Sequence, residues 1–223
     1  MKINSFRGFV KESLKGNILE IGGLAAPFSI NAETKITYTD KYDGETLKKM
    51  CKEHLLGYHD NELKIEDIIS PDVVCEADTL PFSDNIFDAV VCSHVLEHLV
   101  NPYKAIFEWL RVVAPQGYIY IVVPDKRYTF DAKRETTLVQ HMVDDYEQDI
   151  KKIDKEHYID FYSNVHNTNI NDCMKRFEAG DNIHVHTFTF DSVIEMFNRY
   201  DGVYHIEDIV RFDCNICVLL KKE

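Results

Sequence analysis

Apolar residues in this chain come in short runs separated by stretches of helical period. Ile18 to Ile21, Ile36 to Tyr38, Val73 to Cys75, Ala89 to Cys92 and Tyr118 to Val123 read as five strands, several of them continuous enough to be buried on both faces of a parallel sheet. Between the fourth and fifth runs, Asn101-Pro102 supplies a helix N-cap and a first-turn proline. Ala105, Ile106, Trp109, Leu110 and Val113 then form an apolar stripe, and Pro115-Gln116-Gly117 ends the helix. Near the N-terminus, Phe6, Phe9, Val10 and Leu14 share one helical face ahead of Gly16-Asn17. This alternation predicts an α/β protein with a mostly parallel sheet and right-handed crossovers.

The pattern changes after the fifth strand. Residues 125–188 are rich in His, Asp, Asn, Lys and Tyr, and the stretch is too long for a plain loop. It reads as a helical insertion within a single domain spanning 1–223, serving as a lid or acceptor-binding segment. Asp191 to Tyr200 reads as a helix with Val193, Ile194, Phe197 and Tyr200 inward. Tyr204 to Arg211 and Asn215 to Leu220 read as two strands turned at Phe212-Asp213-Cys214, which places one antiparallel strand near the C-terminus.

Composition narrows the class. With 223 residues, 45% of them hydrophobic, the chain can bury one substantial core. A net charge of −13 argues against general nucleic-acid binding, which needs clustered cations to displace counterions. Nothing resembles a membrane span, and charge interrupts the N-terminal MKINSFRGFVKESLKG every few residues, so no membrane insertion is expected. The six cysteines are scattered and several lie in apolar runs; Cys214 and Cys217 have metal-pair spacing but no matching second pair. They read as reduced core thiols in a cytoplasmic protein.

Candidate chemistry collects at strand ends, where open α/β sheets bind ligands. Glu20 lies near the end of the first strand, and Gly22 and Gly23 allow close backbone approach in the turn that follows. Leu24, Ala25 and Ala26 stand where a dinucleotide fingerprint has further glycines, which favours a cofactor without phosphates. Asp40 ends the second strand where a carboxylate accepts ribose hydroxyls; otherwise it is a solvated turn residue. Asp78, in Ala77-Asp78-Thr79, suits an adenine amino group, or a helix cap.

Ser93 and His94 follow the fourth strand, and His98 is one turn later. Both histidines are candidate bases, the alternative being that they pack beneath a pocket. Asp125, Lys126, Arg127, Tyr128, Asp131 and Arg134 begin at the end of the fifth strand. Their cations suit an anionic acceptor unless they pair among themselves, and Asp125 and Tyr128 join the catalytic candidates. His141, His184 and His186 form a third polar group that could line the acceptor pocket. No metal is assigned to it, because no third and fourth ligand with convincing spacing is visible. The acidic run from Asp144 to Glu156 reads as a solvated helix face.

The segments LEIGGLAAPF, YTD ending at Asp40, EADTLPFSDNIFDAVVCSHVLEHL and IYIVVPD resemble class I S-adenosylmethionine-dependent methyltransferases over nearly the whole chain. The resemblance implies a three-layer Rossmann-like sandwich with a seven-stranded, mostly parallel sheet, S-adenosyl-L-methionine as cofactor and S-adenosyl-L-homocysteine as product. It implies Glu20 near the cofactor's amino group, Asp40 on the ribose, Ala77 and Asp78 on the adenine, and Ser93 and His94 beside the sulfonium. PDKRYTFDAKRETT with HVHTFTFDS is similar to a bacterial subgroup linked to surface-polysaccharide and sugar pathways. The expected reaction is methyl transfer to an O or N atom of a small polar, anionic acceptor, such as a nucleotide-linked, phosphorylated or sugar metabolite of capsule synthesis. A non-catalytic S-adenosylmethionine-binding protein and an NAD-dependent oxidoreductase are the alternatives.

Overall fold

A computed structural model describes residues 14–24, 27–28, 34–53 and 65–223. The expected helical face of Phe6, Phe9 and Val10, and the loop residues Ala25 and Ala26, lie outside the described residues. Seven strands form one sheet: β1 (Gly16–Ile21), β2 (Thr34–Asp40), β3 (Val73–Val74), β4 (Phe87–Ser93), β5 (Val113–Pro124), β6 (Tyr204–Phe212) and β7 (Asn215–Lys222). Their spatial order is β3-β2-β1-β4-β5-β7-β6. β1 to β5 pair in parallel, and β7 runs antiparallel between β5 and β6.

The central strands are apolar because both faces are covered. Val90, Val91 and Cys92 are wholly buried, and alternate residues of β4 enter two different clusters. One cluster joins Val90 and Cys92 to Tyr103, Ile106 and Trp109 of helix α2 (Pro102–Val112), which follows α1 (Gly44–Lys52) in the chain. Asn101 Oδ1 accepts the Lys104 N–H at 3.0 Å and Pro102 occupies the first turn, the start the sequence predicts. Each fully buried aliphatic side chain here contributes about 1.5–3 kcal/mol by leaving water. The second cluster sets Ala89 and Val91 against Leu14, Ile18, Phe28 and Tyr120.

Two features place the ligand side. β1 pairs with β2 on one flank and β4 on the other, so the chain leaves the sheet in opposite directions from its centre and opens a crevice at the carboxyl ends. The long segment after β5 is helical, as expected, with α3 (Val139–Glu147), α4 (Lys155–Val165) and α5 (Ile170–Ala179). It has a small core of its own in Tyr158, Phe161, Ile183 and Val185. It is fastened to the strand ends by backbone: Val185 and His186 N–H donate to the Glu97 carbonyl at 2.7 and 3.0 Å, and Lys126 N–H donates to Phe188 at 2.8 Å. Helix α6 (Phe190–Asn198) then leads into the terminal hairpin, which turns at Asp213 with φ 56°.

Candidate active site

The crevice begins at the glycine turn. Gly22 has φ +70°, and a Cβ there would lie 2.4 Å from Val95 Cγ2, so a side chain would be strained in both conformation and space. The absent side chain lets the loop after β1 meet the loop after β4. Gly23 faces a small pocket shared with Tyr38 and Asp40. Glu20 is buried, and both its oxygens accept the Phe28 N–H, at 2.8 and 3.0 Å. The structure thus gives Glu20 the task of pinning the loop, a role the strand-end reading does not supply.

Asp40 ends β2 on this pocket. Burial pushes its carboxyl above the usual range despite the Tyr42 N–H at 3.1 Å. A half-desolvated carboxylate of this kind favours arriving hydroxyl donors. The following strand continues the wall: Cys75 N–H donates to the Asp40 carbonyl at 2.9 Å. Trp109 Nε1–H holds the Ala77 carbonyl at 2.8 Å. Asp78 pairs with Lys104 at 3.0 Å and accepts the Thr79 hydroxyl at 3.2 Å. A bare glycine turn, a ribose-type carboxylate and a fixed Ala77-Asp78-Thr79 corner fit an adenosine cofactor, which these residues together with Ser93 would hold.

At the far side of the crevice, His94 follows β4 with φ 57°, a conformation rare for a residue with a Cβ. Its side chain is 41% exposed, and Nδ1 lies 3.2 Å from Oε1 of Glu97, which is 0% exposed. That is an ion-pair approach outside hydrogen-bond alignment, and neither Glu97 oxygen has a hydrogen-bond partner among the described residues. Burial alone would raise the Glu97 carboxyl, yet His94, His98 and His184 around it bring it below its ordinary value. Glu97 is thus a buried carboxyl enclosed by imidazoles. Sequence reading missed it, since Val95-Leu96-Glu97-His98 looks like a helix start; the turn there is a short 3-10 turn, Leu96–His98.

Several sequence candidates receive other tasks. His98 is not placed as a base: burial lowers its pKa, Nδ1 donates to the Ile183 carbonyl at 2.9 Å, and its ring packs edge-on to His184 at 4.7 Å. Asp125, expected in catalysis, is fully buried and grips Arg127 through Nε at 2.9 Å and Nη2 at 2.6 Å. Burial opposes its charge, but Arg127 outweighs that and holds the carboxyl below the usual range. It positions Arg127.

Arg134 and Asp131 are likewise corrected from acceptor contacts to internal structure. Arg134 is 2% exposed and reaches Asp131 at 2.8 Å and Asp160 at 2.7 Å, while His184 Nδ1 lies 2.6 Å from Asp131. Lys126 is half-buried, and Arg127 and Tyr128 are exposed, with the Tyr128 hydroxyl accepting Arg211 Nη1–H at 2.9 Å. The sequence reading did not include Arg211, which arrives from β6. The third histidine group divides: His184 belongs to the Glu97 cluster, while His141 and His186 meet His157. Asp145 and Asp154, in the run expected to be solvated, both face that second cluster.

A family model described as methyltransferase domain matches residues 45–121. The fold is shared with the PH0226 protein from Pyrococcus horikoshii OT3, at TM-score 0.56 and 14% identity, covering 100% of this chain and 90% of that one. It is shared also with a SAM-dependent methyltransferase from Aquifex aeolicus, at TM-score 0.52 and 14% identity, covering 98% and 90% of the two chains. Among curated proteins, the ubiquinone/menaquinone biosynthesis C-methyltransferase UbiE of Burkholderia mallei (strain SAVP1) is 29% identical over 79 residues. That match spans 35% of this chain and 32% of the UbiE protein. The methyltransferase-domain match covers about a third of the chain, and these structural neighbours share the fold along nearly its whole length.

Proposed function

We propose that this protein transfers a methyl group to an O or N atom of a small polar, anionic acceptor, with His94 as the base and Glu97 as the residue that orients it. The observation that carries this reading is the His94–Glu97 pair, an exposed imidazole backed at 3.2 Å by a wholly buried carboxylate at the end of β4. S-adenosylmethionine, held by Gly22, Gly23, Asp40 and the Ala77-Asp78-Thr79 corner, supplies a methyl already activated on a sulfonium. The protein's remaining work is alignment, which in well-oriented systems lowers barriers by about 7–11 kcal/mol, and removal of the acceptor's proton.

With Nδ1 turned to Glu97, Nε2 of His94 takes that proton, and the Glu97 carboxylate stabilises the imidazolium that results. Arg127 and Arg211 flank Tyr128 beyond the end of β5, the strand next to β4, with the two guanidinium carbons 5.7 and 5.1 Å from its ring centre and Lys126 just before it in the chain. Such a cationic and aromatic rim in a chain of net charge −13 favours a phosphorylated or carboxylated acceptor. Sugar nucleotides and sugar phosphates, the stock of surface-polysaccharide synthesis, have that chemistry.

The experiment is transfer of labelled methyl from S-adenosylmethionine to a panel of sugar nucleotides, sugar phosphates and their neutral sugars. Anionic members should be methylated and neutral counterparts should not. Labelling of neutral sugars alone, or of carbon in a quinol precursor of the kind named for UbiE, overturns the acceptor assignment. Cofactor binding without transfer to any member would favour a non-catalytic binding protein.

A further inference from the structure

We propose that His141, His157, His186 and Asp145 form a tetrahedral site for a divalent transition-metal ion, zinc by its donor set, which fastens the insertion to the floor of the active site. One ligand atom from each of the three histidines lies within 4.8 Å of the others. His141 Nε2 and His157 Nε2 are 3.2 Å apart, and Asp145 Oδ2, outside that group of three, is 3.4 Å from His141 Nε2 and would turn onto the ion as its fourth ligand. Zinc bonds of about 2.0–2.1 Å put ligand atoms of a tetrahedron about 3.3 Å apart, so both separations have the length of a tetrahedron's edge.

His186 supplies the independent sign of a ligand. Its side chain is fully buried, and Nε2 lies 3.3 Å from the Val100 carbonyl, which can only accept, so the proton sits on Nε2. Nδ1 then carries a lone pair, and it has no hydrogen-bond partner among the described residues. Buried polar atoms are nearly always satisfied, and a metal ion satisfies this one. His157 is prepared in the same way: Nδ1 lies 2.7 Å from Asp154 Oδ1, the carboxylate backing that turns Nε2 into a ligand.

The placement gives the ion a purpose. His141 and Asp145 are one turn apart on α3, His157 is on α4, and His186 lies in the segment whose N–H groups bond the Glu97 carbonyl. Asn101 Nδ2–H bonds the Asp145 carbonyl at 2.9 Å, tying α3 to the start of α2. Four protein ligands leave no open position, so the site is structural rather than a Lewis acid for the acceptor. Glu97, His98 and His184 also have ligand atoms within 4.8 Å of one another, but they belong to the active-site cluster and serve as the competing location in the test.

The test is metal content of the purified full chain, followed by titration of chelator-treated protein with zinc sulfate and with cobalt(II) chloride. We expect about one ion per chain, intense visible bands of four-coordinate cobalt(II), and a melting temperature that falls on chelation and recovers with zinc. Asp154→Asn should weaken zinc binding about 10–100-fold, His157→Gln at least as much, and Glu97→Gln should leave it unchanged. The wild-type measurements decide the matter if a variant fails to fold. No zinc uptake by the wild type, or uptake that survives His157→Gln or is lost in Glu97→Gln, overturns the proposal.

Discussion

His94 and Glu97 stand three residues apart at the end of β4, with Nδ1 3.2 Å from Oε1, one side chain 41% exposed and the other 0%. The exposed member can reach a ligand, and the buried member cannot be reached by water. This division of labour sets separate expectations for the two residues. His94→Asn should lower kcat by about 10²–10⁴, the usual range for removing a general base, with little change in cofactor affinity. Glu97→Gln should lower kcat less and keep the fold. A joint loss of S-adenosylhomocysteine binding in both variants, measured by calorimetry, would reassign the pair to the cofactor pocket.

Gly22 is expected to be intolerant of the smallest side chain. A Cβ would sit 2.4 Å from Val95 Cγ2 at a φ of +70°. Gly22→Ala should destabilise the protein by about 1–3 kcal/mol and weaken cofactor binding, whereas Gly180→Ala, where a Cβ meets nothing within 4 Å, should carry only the cost of its positive φ. Thermal melts of the two variants make the comparison.

Arg134 and Arg127 separate structure from recognition. Arg134→Met leaves Asp131 buried without its guanidinium partner, a change that costs about 3–5 kcal/mol in comparable buried pairs. Arg127→Lys keeps a cation against the buried Asp125 but removes the guanidinium fork of a side chain that is 42% exposed, and should raise the acceptor KM with a smaller fall in melting temperature. A thermal loss as large as that of Arg134→Met would contradict the assignment.

Asp131 also sets an acid limit. Burial works against its charge, but His184 and Arg134 outweigh burial and hold its pKa below the ordinary 3.8. A lowered carboxylate contributes stability that is fully present above the unfolded value and is lost as pH falls through the folded one. Unfolding free energy should therefore drop steeply below about pH 4, and Asp131→Asn should flatten that part of the curve. Denaturant titrations from pH 3 to 6 read this slope.

The sheet was largely legible because its signals are local. Ala89 to Cys92 is apolar on both faces, Asn101-Pro102 caps its own helix, and Gly22 announces its own turn. The site was legible only where strand ends carry it, as at Asp40 and His94. Glu97 looked like part of a helix start because its burial is created by a distant segment; His98 and Ile183 meet although 85 positions separate them. Arg134 looked like a surface cation because its partner Asp160 lies 26 positions on, inside α4. Asp145 lies in, and His157 just beyond, a run whose alternating charges resemble a solvated face. Tertiary packing, not spacing, assembles these groups.

Isothermal titration with S-adenosylhomocysteine decides whether the crevice is a cofactor site. The wild type should bind one equivalent, Asp40→Ala should bind about 10-fold or more weakly through loss of charge-assisted hydrogen bonds, and His94→Asn should bind like the wild type. No binding by the wild type, or equal affinity in Asp40→Ala, would contradict the methyltransferase reading at its base.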